Sequence, residues 1–392
     1  MNKTFFKVII SIVKNAFCEN CDSLPNDFDF EKVYWFSMHQ NIVVMMYYGI
    51  INSGVQLAEE INDKFLIAAG NSVARAERQM SEFNRITSAF DKNGIRFMPL
   101  KGSVIRSIYP KEEMRAMGDC DILIDTKQYD EIRPIMTELG YTEDVESNHE
   151  LIWYHDSVCV ELHKRLIPSY NKDYYAYFGD GWDRALTTES GSRYEMSSED
   201  TLIYLVTHFA KHFRDAGIGI KHLVDIKLYL EQKELDLNYI EQQFKQLKLW
   251  DFFNNIRKTV DVWFNDGQAD EITDIITHKI LSGGAFGTKE AHDVSDALKQ
   301  RENGNDSSRL SKALKLVFLP YKNMCLLFPS LKKLPFLLPL YWVWRVLYTC
   351  FNKKGALLKH YNTIKELTPD RITQYKKELN AVGLDYRFEE ED

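Results

Sequence analysis

The feature that most constrains this chain is a change of period. Up to about residue 88, apolar residues recur at three and four, the repeat of amphipathic helices. Between 94 and 166 that repeat gives way to short runs alternating with period two, and from about Ser198 the helical repeat returns. A chain ordered this way folds as a small sheet wrapped by helices, so the expected class is α+β, a small mixed-sheet core with N-terminal and C-terminal helical regions flanking it. The expected boundaries are a helical region over 1–88, an α/β core over 89–185, a helical domain over 186–300 and a C-terminal helical extension over 301–392. No internal repeat is visible.

Within the core, "GIRFMPL" (94–100) reads as a short strand leading to a Gly102-Ser103 turn and a helix through about Tyr109. "DCDILID" (119–125) is a second strand, "QYDEIRPIMTELG" a helix closed by Gly140, and "HELIWYHDSVCVELHKRL" (149–166) a strand pair turning near Asp156-Ser157. In the flanks, "LPNDFDFEKVYWF" is a helix entry capped by Asn26 or Asp27, and "SSEDTLIYLVTHFAKHF" opens with Ser197 or Ser198 as cap. "RENGNDSSR" (301–309) is the clearest loop.

Charge and apolar runs narrow the function classes. A net charge of −8 argues against a general nucleic-acid coat protein, although not against a local basic cleft. Cys18 and Cys21 form a lone CxxC without a second pair or nearby histidines, which reads as reduced thiols in a cytoplasmic protein rather than a zinc site. The start "MNKTFFKVIISIVKNAF" is interrupted by Lys7 and Lys14, and Phe6, Ile9, Ile10, Val13 and Phe17 lie at helical spacing, so a core helix is expected there rather than a signal peptide. The stretch 334–351 carries Pro335, Pro339 and Arg345; it reads as a buried helix or a membrane-surface contact, not a span.

The chemistry concentrates on the polar face of the strands. Alternation puts Cys120, Ile122 and Ile124 on one face and Asp119 and Asp121 on the other. Asp27 and Asp29 share that spacing in a helix entry, so spacing alone is compatible with a solvated strand end. The second strand changes the balance: Val160 and Leu162 share the apolar face, so Glu161 and His163 point as the aspartates do. Three carboxylates on one face repel unless a cation lies between them, and hard oxygen donors suit Mg²⁺. Gly102 and Ser103 offer backbone N–H groups to a phosphate, with Lys101 and Arg106 as cationic options or solvated side chains. Arg115 is open to a salt bridge or a phosphate, and His163 to a supporting role or a satisfied polar one. Lys211 reads by default as a surface lysine, and Asp225 is open to capping or pairing with Lys221. His208 and His212 are four apart but lack the glutamate of a zinc protease motif.

The order "LKGS", "RAMGDCDILID", "VELHKRL" resembles the polymerase-β-type nucleotidyltransferase superfamily. Within it, the chain is similar to an uncharacterised bacterial nucleotidyltransferase family with a KG…R…GD-x-D-[IL]-L-[VI] core and an [DE]-L-H-W-x-L strand. The helix pair "YLVTHFAKHF…IKHLVDIKLYL" (204–230) and the tail "PSLKKLPFLLPLYWVWR" resemble the family as well, and the likeness covers about 30 to 230. It implies Mg²⁺-dependent (or Mn²⁺-dependent) transfer of a nucleoside monophosphate from an NTP such as ATP to an acceptor, with pyrophosphate released. Gly102 and Ser103 would grip the triphosphate, with Lys101, Arg115, His163 and Lys211 as further nucleotide contacts. Asp119 and Asp121 would coordinate two Mg²⁺ ions, and Glu161 would ligate the one that activates the acceptor or act as its general base. The chain departs from the pattern at Lys101, where an apolar residue is usual, and at Lys164, where tryptophan often follows the histidine. A catalytically silent nucleotide- or partner-binding module, or a toxin-like enzyme acting on tRNA or protein, are the competing readings; Lys353, Lys354 and Lys359 would be the latter's basic cluster.

Overall fold

Five strands assemble where the period-two runs lie. The computed structural model describes residues 3–18, 21–147, 149–215, 217–284 and 369–384, and, from 318 to 352, all but 320, 322, 323, 326, 327 and 333. The expected loop at 301–309 and the lysines at 353, 354 and 359 lie outside the described residues. The chain divides into two compact units, Met1–Thr288 with Leu379–Tyr386, and Lys289–Glu378 with Arg387–Asp392.

In the first unit, four helices come first: α1 (Lys3–Asn15), α2 (Phe30–Gln40), α3 (Val43–Asn52) and the 34-residue α4 (Glu59–Lys92). The α/β part follows as β1 (Phe97–Pro99), α5 (Gly102–Ile105), β2 (Cys120–Ile124), α6 (Tyr129–Glu138), β3 (Thr142–Glu146), β4 (Glu150–His155) and β5 (Val158–His163). Then come α7 (Lys172–Phe178), a two-stranded ribbon of β6 (Ala185–Thr187) and β7 (Tyr194–Met196), and helices α8 (Ser198–Asp215), α9 (Ile220–Gln232), α10 (Leu237–Gln246), α11 (Trp250–Phe264) and α12 (Glu271–Gly283).

The sheet order is β1-β2-β5-β4-β3, with β2 and β5 parallel and the other pairs antiparallel. Parallel neighbours need a long crossover, here α6 with the β3–β4 hairpin. One face of the sheet is core: Cys120, Ile122, Ile124, Leu151, Trp153, Val158, Val160 and Leu162 pack with Phe83, Ile86 and Phe90 of α4 and Ile132 and Met136 of α6. The two-residue turn at Asp156-Ser157 pairs His155 with Val158 and so sets the whole β4–β5 register. Gly140 closes α6 at φ 84°, a region a Cβ disfavours, and sits against the His155 ring.

Several local expectations change. The cap of α2 is Asp29, whose side chain accepts the Lys32 N–H at 3.1 Å, rather than Asn26 or Asp27. The helix after Gly102 does not run to Tyr109. It becomes a 3₁₀ turn over Arg106–Ile108, and Tyr109 is extended (ψ 144°) because Pro110 follows it. The apolar stripe of α1 buries Val8, Ile9, Ile12 and Val13, a face turned slightly from the one expected, with Phe6, Ile10 and Phe17 half-buried at its edges. At the other flank, Ser197 caps α8 through the Asp200 N–H.

A buried side chain ties the flanks together. Gln40, at the end of α2, donates Nε2 to the Ile280 carbonyl of α12 at 3.0 Å, and its Oε1 accepts the N–H of Ile220, first residue of α9, at 3.2 Å. In the second unit, α13 (Leu338–Asn352) is preceded by a short turn. Phe336, Leu340, Val343, Trp344 and Leu347 are exposed there, so this stretch is a helix with an uncovered apolar stripe rather than a buried one. No helix among the described residues is long and apolar enough to cross a membrane.

Candidate active site

Alternation places the polar residues of β2, β4 and β5 on the sheet face opposite the core. In the parallel β2–β5 register Asp121 stands beside Glu161, and in the antiparallel β4–β5 register Glu150 stands beside His163. Asp121, Glu161 and His163 bring one ligand atom each within 4.8 Å of one another. Asp119 is outside that triplet, in the bend one residue before β2. It is close enough that the charge of Asp121, then burial and Glu161, push its carboxyl up to about 7.

Asp121 is almost wholly buried and already has positive partners. Lys101 Nζ lies 2.6 Å from Oδ1, and His163 Nε2 lies 2.8 Å from the same oxygen. Burial alone would raise its pKa, yet Lys101 and His163 hold the carboxyl well below the usual range. For Lys101, burial opposes the charge, but Asp121, with Asp119 and Glu161 behind it, holds the ammonium well above its ordinary value. The departure at Lys101 thus has a structural account: its side chain balances the carboxylates. Its backbone is unusual too, with φ 49° and ψ −120°, a sparsely populated region for a residue with a Cβ.

That backbone leads into α5, so the N–H groups of Gly102 and Ser103 open a helical turn and have no intrahelical acceptor. The helix is four residues long, so its dipole adds little. The Ser103 hydroxyl donates to the Leu100 carbonyl at 2.7 Å.

Arg115 is held by a partner 110 residues away. Its Nε and Nη2 donate to the two oxygens of Asp225 at 2.6 and 2.8 Å, and the Tyr109 hydroxyl donates to the same carboxylate at 2.7 Å. Asp225 is therefore neither a cap nor primarily a partner of Lys221. Arg115 Nη1, bonded to the Ala116 carbonyl, still passes close to Gly102. Arg106 turns away to Glu77 and the Ala76 carbonyl on α4. Lys164, at the second departure, donates Nζ to the Ser147 carbonyl at 2.9 Å, a structural role.

Helices α8 and α9 bring further groups near the polar face. Lys211 is near enough that its charge acts on His149 and Glu150. His208 and His212 place their Nε2 atoms 3.1 Å apart, and burial keeps both neutral. Lys221, at the start of α9, is lowered to about 8 by burial and by Arg115. The Tyr204 hydroxyl is buried without a hydrogen-bond partner among the described residues. Beside Lys101 and Tyr204 opens a cavity of about 240 Å³, also lined by Tyr194, Met196, Leu205 and Tyr229.

Sequence reasoning missed Glu150, His149, Tyr204 and Lys221. Glu150 had a usable signal: with the turn placed at 156–157, pairing across β4–β5 sets it opposite His163. The others are placed by helices whose packing no local pattern announces.

A family model described as "uncharacterised nucleotidyltransferase" matches residues 26–265. No curated protein and no solved structure matches the chain. The match spans more than half of the chain and contains the whole site, so the chain belongs to this nucleotidyltransferase family.

Proposed function

From that membership we propose that the protein transfers a nucleoside monophosphate from an NTP to an acceptor, releasing pyrophosphate, in a Mg²⁺-dependent (or Mn²⁺-dependent) reaction. The observation that carries this reading is the register of Asp121 against Glu161 on adjacent parallel strands, with Asp119 one residue before the first. The residues suit a divalent cation: Lys101 and His163 converge on Asp121 Oδ1, and the charge of Asp121, then burial and Glu161, hold the Asp119 carboxyl above its ordinary range. Asp119, Asp121 and Glu161 would hold the metal. Bound Mg²⁺ would neutralise triphosphate charge and sharpen the acceptor oxygen as a nucleophile.

The chain's own residues supply the rest. Gly102 and Ser103 present first-turn N–H groups to the phosphates, with Arg115 behind them and Lys211 across the cleft. Lys101 competes with a metal for Asp121 and is free for phosphate once displaced. His163 fixes Asp121 through its Nε2–H. The acceptor oxygen attacks the α-phosphorus as the bond to the pyrophosphate oxygen breaks, and Glu161 is placed to take the acceptor's proton when it is not a ligand. The cavity beside Lys101 and Tyr204 is the candidate pocket for base or acceptor.

Retention of all three carboxylates favours an enzyme over a silent nucleotide-binding module, and the NTP requirement suits a cytoplasmic setting. The apolar stripe of α13 supports contact between that segment and a membrane surface. The decisive experiment incubates the protein with Mg²⁺, each α-labelled NTP and a cell extract, and asks which molecule acquires label. Asp119→Asn and Asp121→Asn should each abolish labelling and pyrophosphate release while circular dichroism stays unchanged. Wild-type turnover in either variant would sink the two-metal reading, and nucleotide binding without release would favour the module.

A further inference from the structure

Next to the carboxylates lies a second donor set of different chemistry. His149, Glu150 and His163 bring two imidazole nitrogens and a carboxylate oxygen within 4.8 Å of one another. Glu150 Oε2 is 3.9 Å from His163 Nδ1 and 3.9 Å from His149 Nε2. Those distances are too long for hydrogen bonds. Ligand atoms around a tetrahedral ion with bonds of about 2.0–2.1 Å stand about 3.4 Å apart, so small side-chain rotations would bring these groups onto one ion.

The orientation of His163 is the second, independent observation. The residue is 1% exposed, and its Nδ1 has no hydrogen-bond partner among the described residues. A buried polar nitrogen left this way costs about 1–3 kcal/mol. Meanwhile Nε2 is engaged by Asp121 at 2.8 Å. That is the arrangement of a metal-ligating histidine: one ring nitrogen is held by a carboxylate, which fixes the tautomer, while the lone pair of the other faces the ion. The Nδ1 of His149 is also buried and has no hydrogen-bond partner among the described residues, and the two rings meet edge to face at 5.0 Å.

We propose that His149, Glu150 and His163 form a second metal site, selective for a nitrogen-binding divalent ion of the Zn²⁺ and Co²⁺ class. It is distinct from the Asp119–Asp121–Glu161 cluster and coupled to it through the His163–Asp121 hydrogen bond. Mg²⁺ would be a poor occupant, because it prefers an all-oxygen octahedron and retains its waters. An ion in this site would fix the His163 ring, and with it the carboxylate of Asp121. The site does not depend on the nucleotidyl-transfer reading and can be tested without nucleotide.

The test titrates Co²⁺ into metal-stripped, full-length protein carrying Cys18→Ser and Cys21→Ser, which removes thiol ligands. Visible d–d absorption reports coordination, and paramagnetically shifted imidazole N–H resonances report nitrogen ligands. One equivalent should bind with histidine resonances shifted. His149→Gln and Glu150→Gln should each weaken it by at least about tenfold. Asp119→Asn, which disables the carboxylate cluster, and His208→Gln, which removes the i, i+4 histidine pair, should leave it unchanged. Each variant's melting curve is recorded first, and Glu150→Gln decides the matter where His149→Gln does not fold. The proposal is overturned by an absence of shifted imidazole resonances, by wild-type affinity in Glu150→Gln, or by loss of the signal in His208→Gln.

Discussion

The two faces of one sheet do opposite work with alternate residues of the same strands. On the α4 side, Cys120, Ile122, Val160 and Leu162 are sealed in an apolar core. On the other side, Asp121, Glu161, His163 and Glu150 gather negative charge and imidazole around a cleft. Glu161 and Leu162 are adjacent in sequence, yet one joins the polar cluster and the other the apolar core. The contrast shows how a three-to-six-residue strand can serve both: period two separates the roles without extra chain.

The sharpest way to break the comparison is to exchange effects between its faces. Glu161→Gln should lower nucleotidyl transfer by roughly 10³-fold, about 4 kcal/mol in barrier, with little change in denaturant midpoint. A steady-state pyrophosphate assay beside a urea curve checks both halves. A variant that unfolds instead would make Glu161 part of the scaffold. Next comes the ion pair bordering the cleft. Arg115→Leu strands the buried Asp225 and should destabilise by about 3–5 kcal/mol. Arg115→Leu with Asp225→Leu should recover much of that stability, and failure of the double variant to recover would mean the pair is not the source.

Leu162→Ala, one residue from Glu161 on the core face, should cost about 2–5 kcal/mol by chemical denaturation. Its turnover per folded molecule should stay within about twofold of wild type. A selective loss of turnover would mean the faces are not separable. The last comparison is in pH. Burial, foremost, depresses His208 and His222 well below the ordinary value and takes His212 down to about 3. The unfolded chain then binds more protons below about pH 6.5, so the stability these groups contribute is full above that pH and falls as pH drops. The slope is at most about 1.4 kcal/mol per pH unit for each ring, less where solvent reaches it. His163, raised on balance, acts in the opposite sense. Urea midpoints at pH 7 and pH 5 should differ, and His212→Gln should narrow the gap. Equal midpoints would show that these rings are not kept neutral.

Most of the polar face was legible because alternation is a local signal. Asp121, Glu161 and His163 could be assigned to one side from their own neighbours. Strand β3, "TEDVE", was not, since its acids carry no apolar alternation and it lies at the sheet edge with one partner. The three-residue β6 and β7 are too short to show a period. Arg115 was noticed, but its true partner is 110 residues distant, and only packing of α9 reveals it. From its neighbours in the sequence, Lys101 is a phosphate contact or a solvated group. Its role as counter-charge to Asp121 follows from a backbone conformation that the residue type does not suggest.

The amide of Gln40 has a consequence for anyone trimming this protein. Through it, the last residue of α2 accepts the first N–H of α9, the helix that carries Lys221, His222 and Asp225. A shortened fragment starting at α4 would leave that buried N–H without its acceptor and loosen the helix start that positions the Arg115 clamp. The smallest stable fragment should therefore begin ahead of α2, and deletion mapping that stops at the sheet would loosen the buried Arg115–Asp225 pair along with the helices.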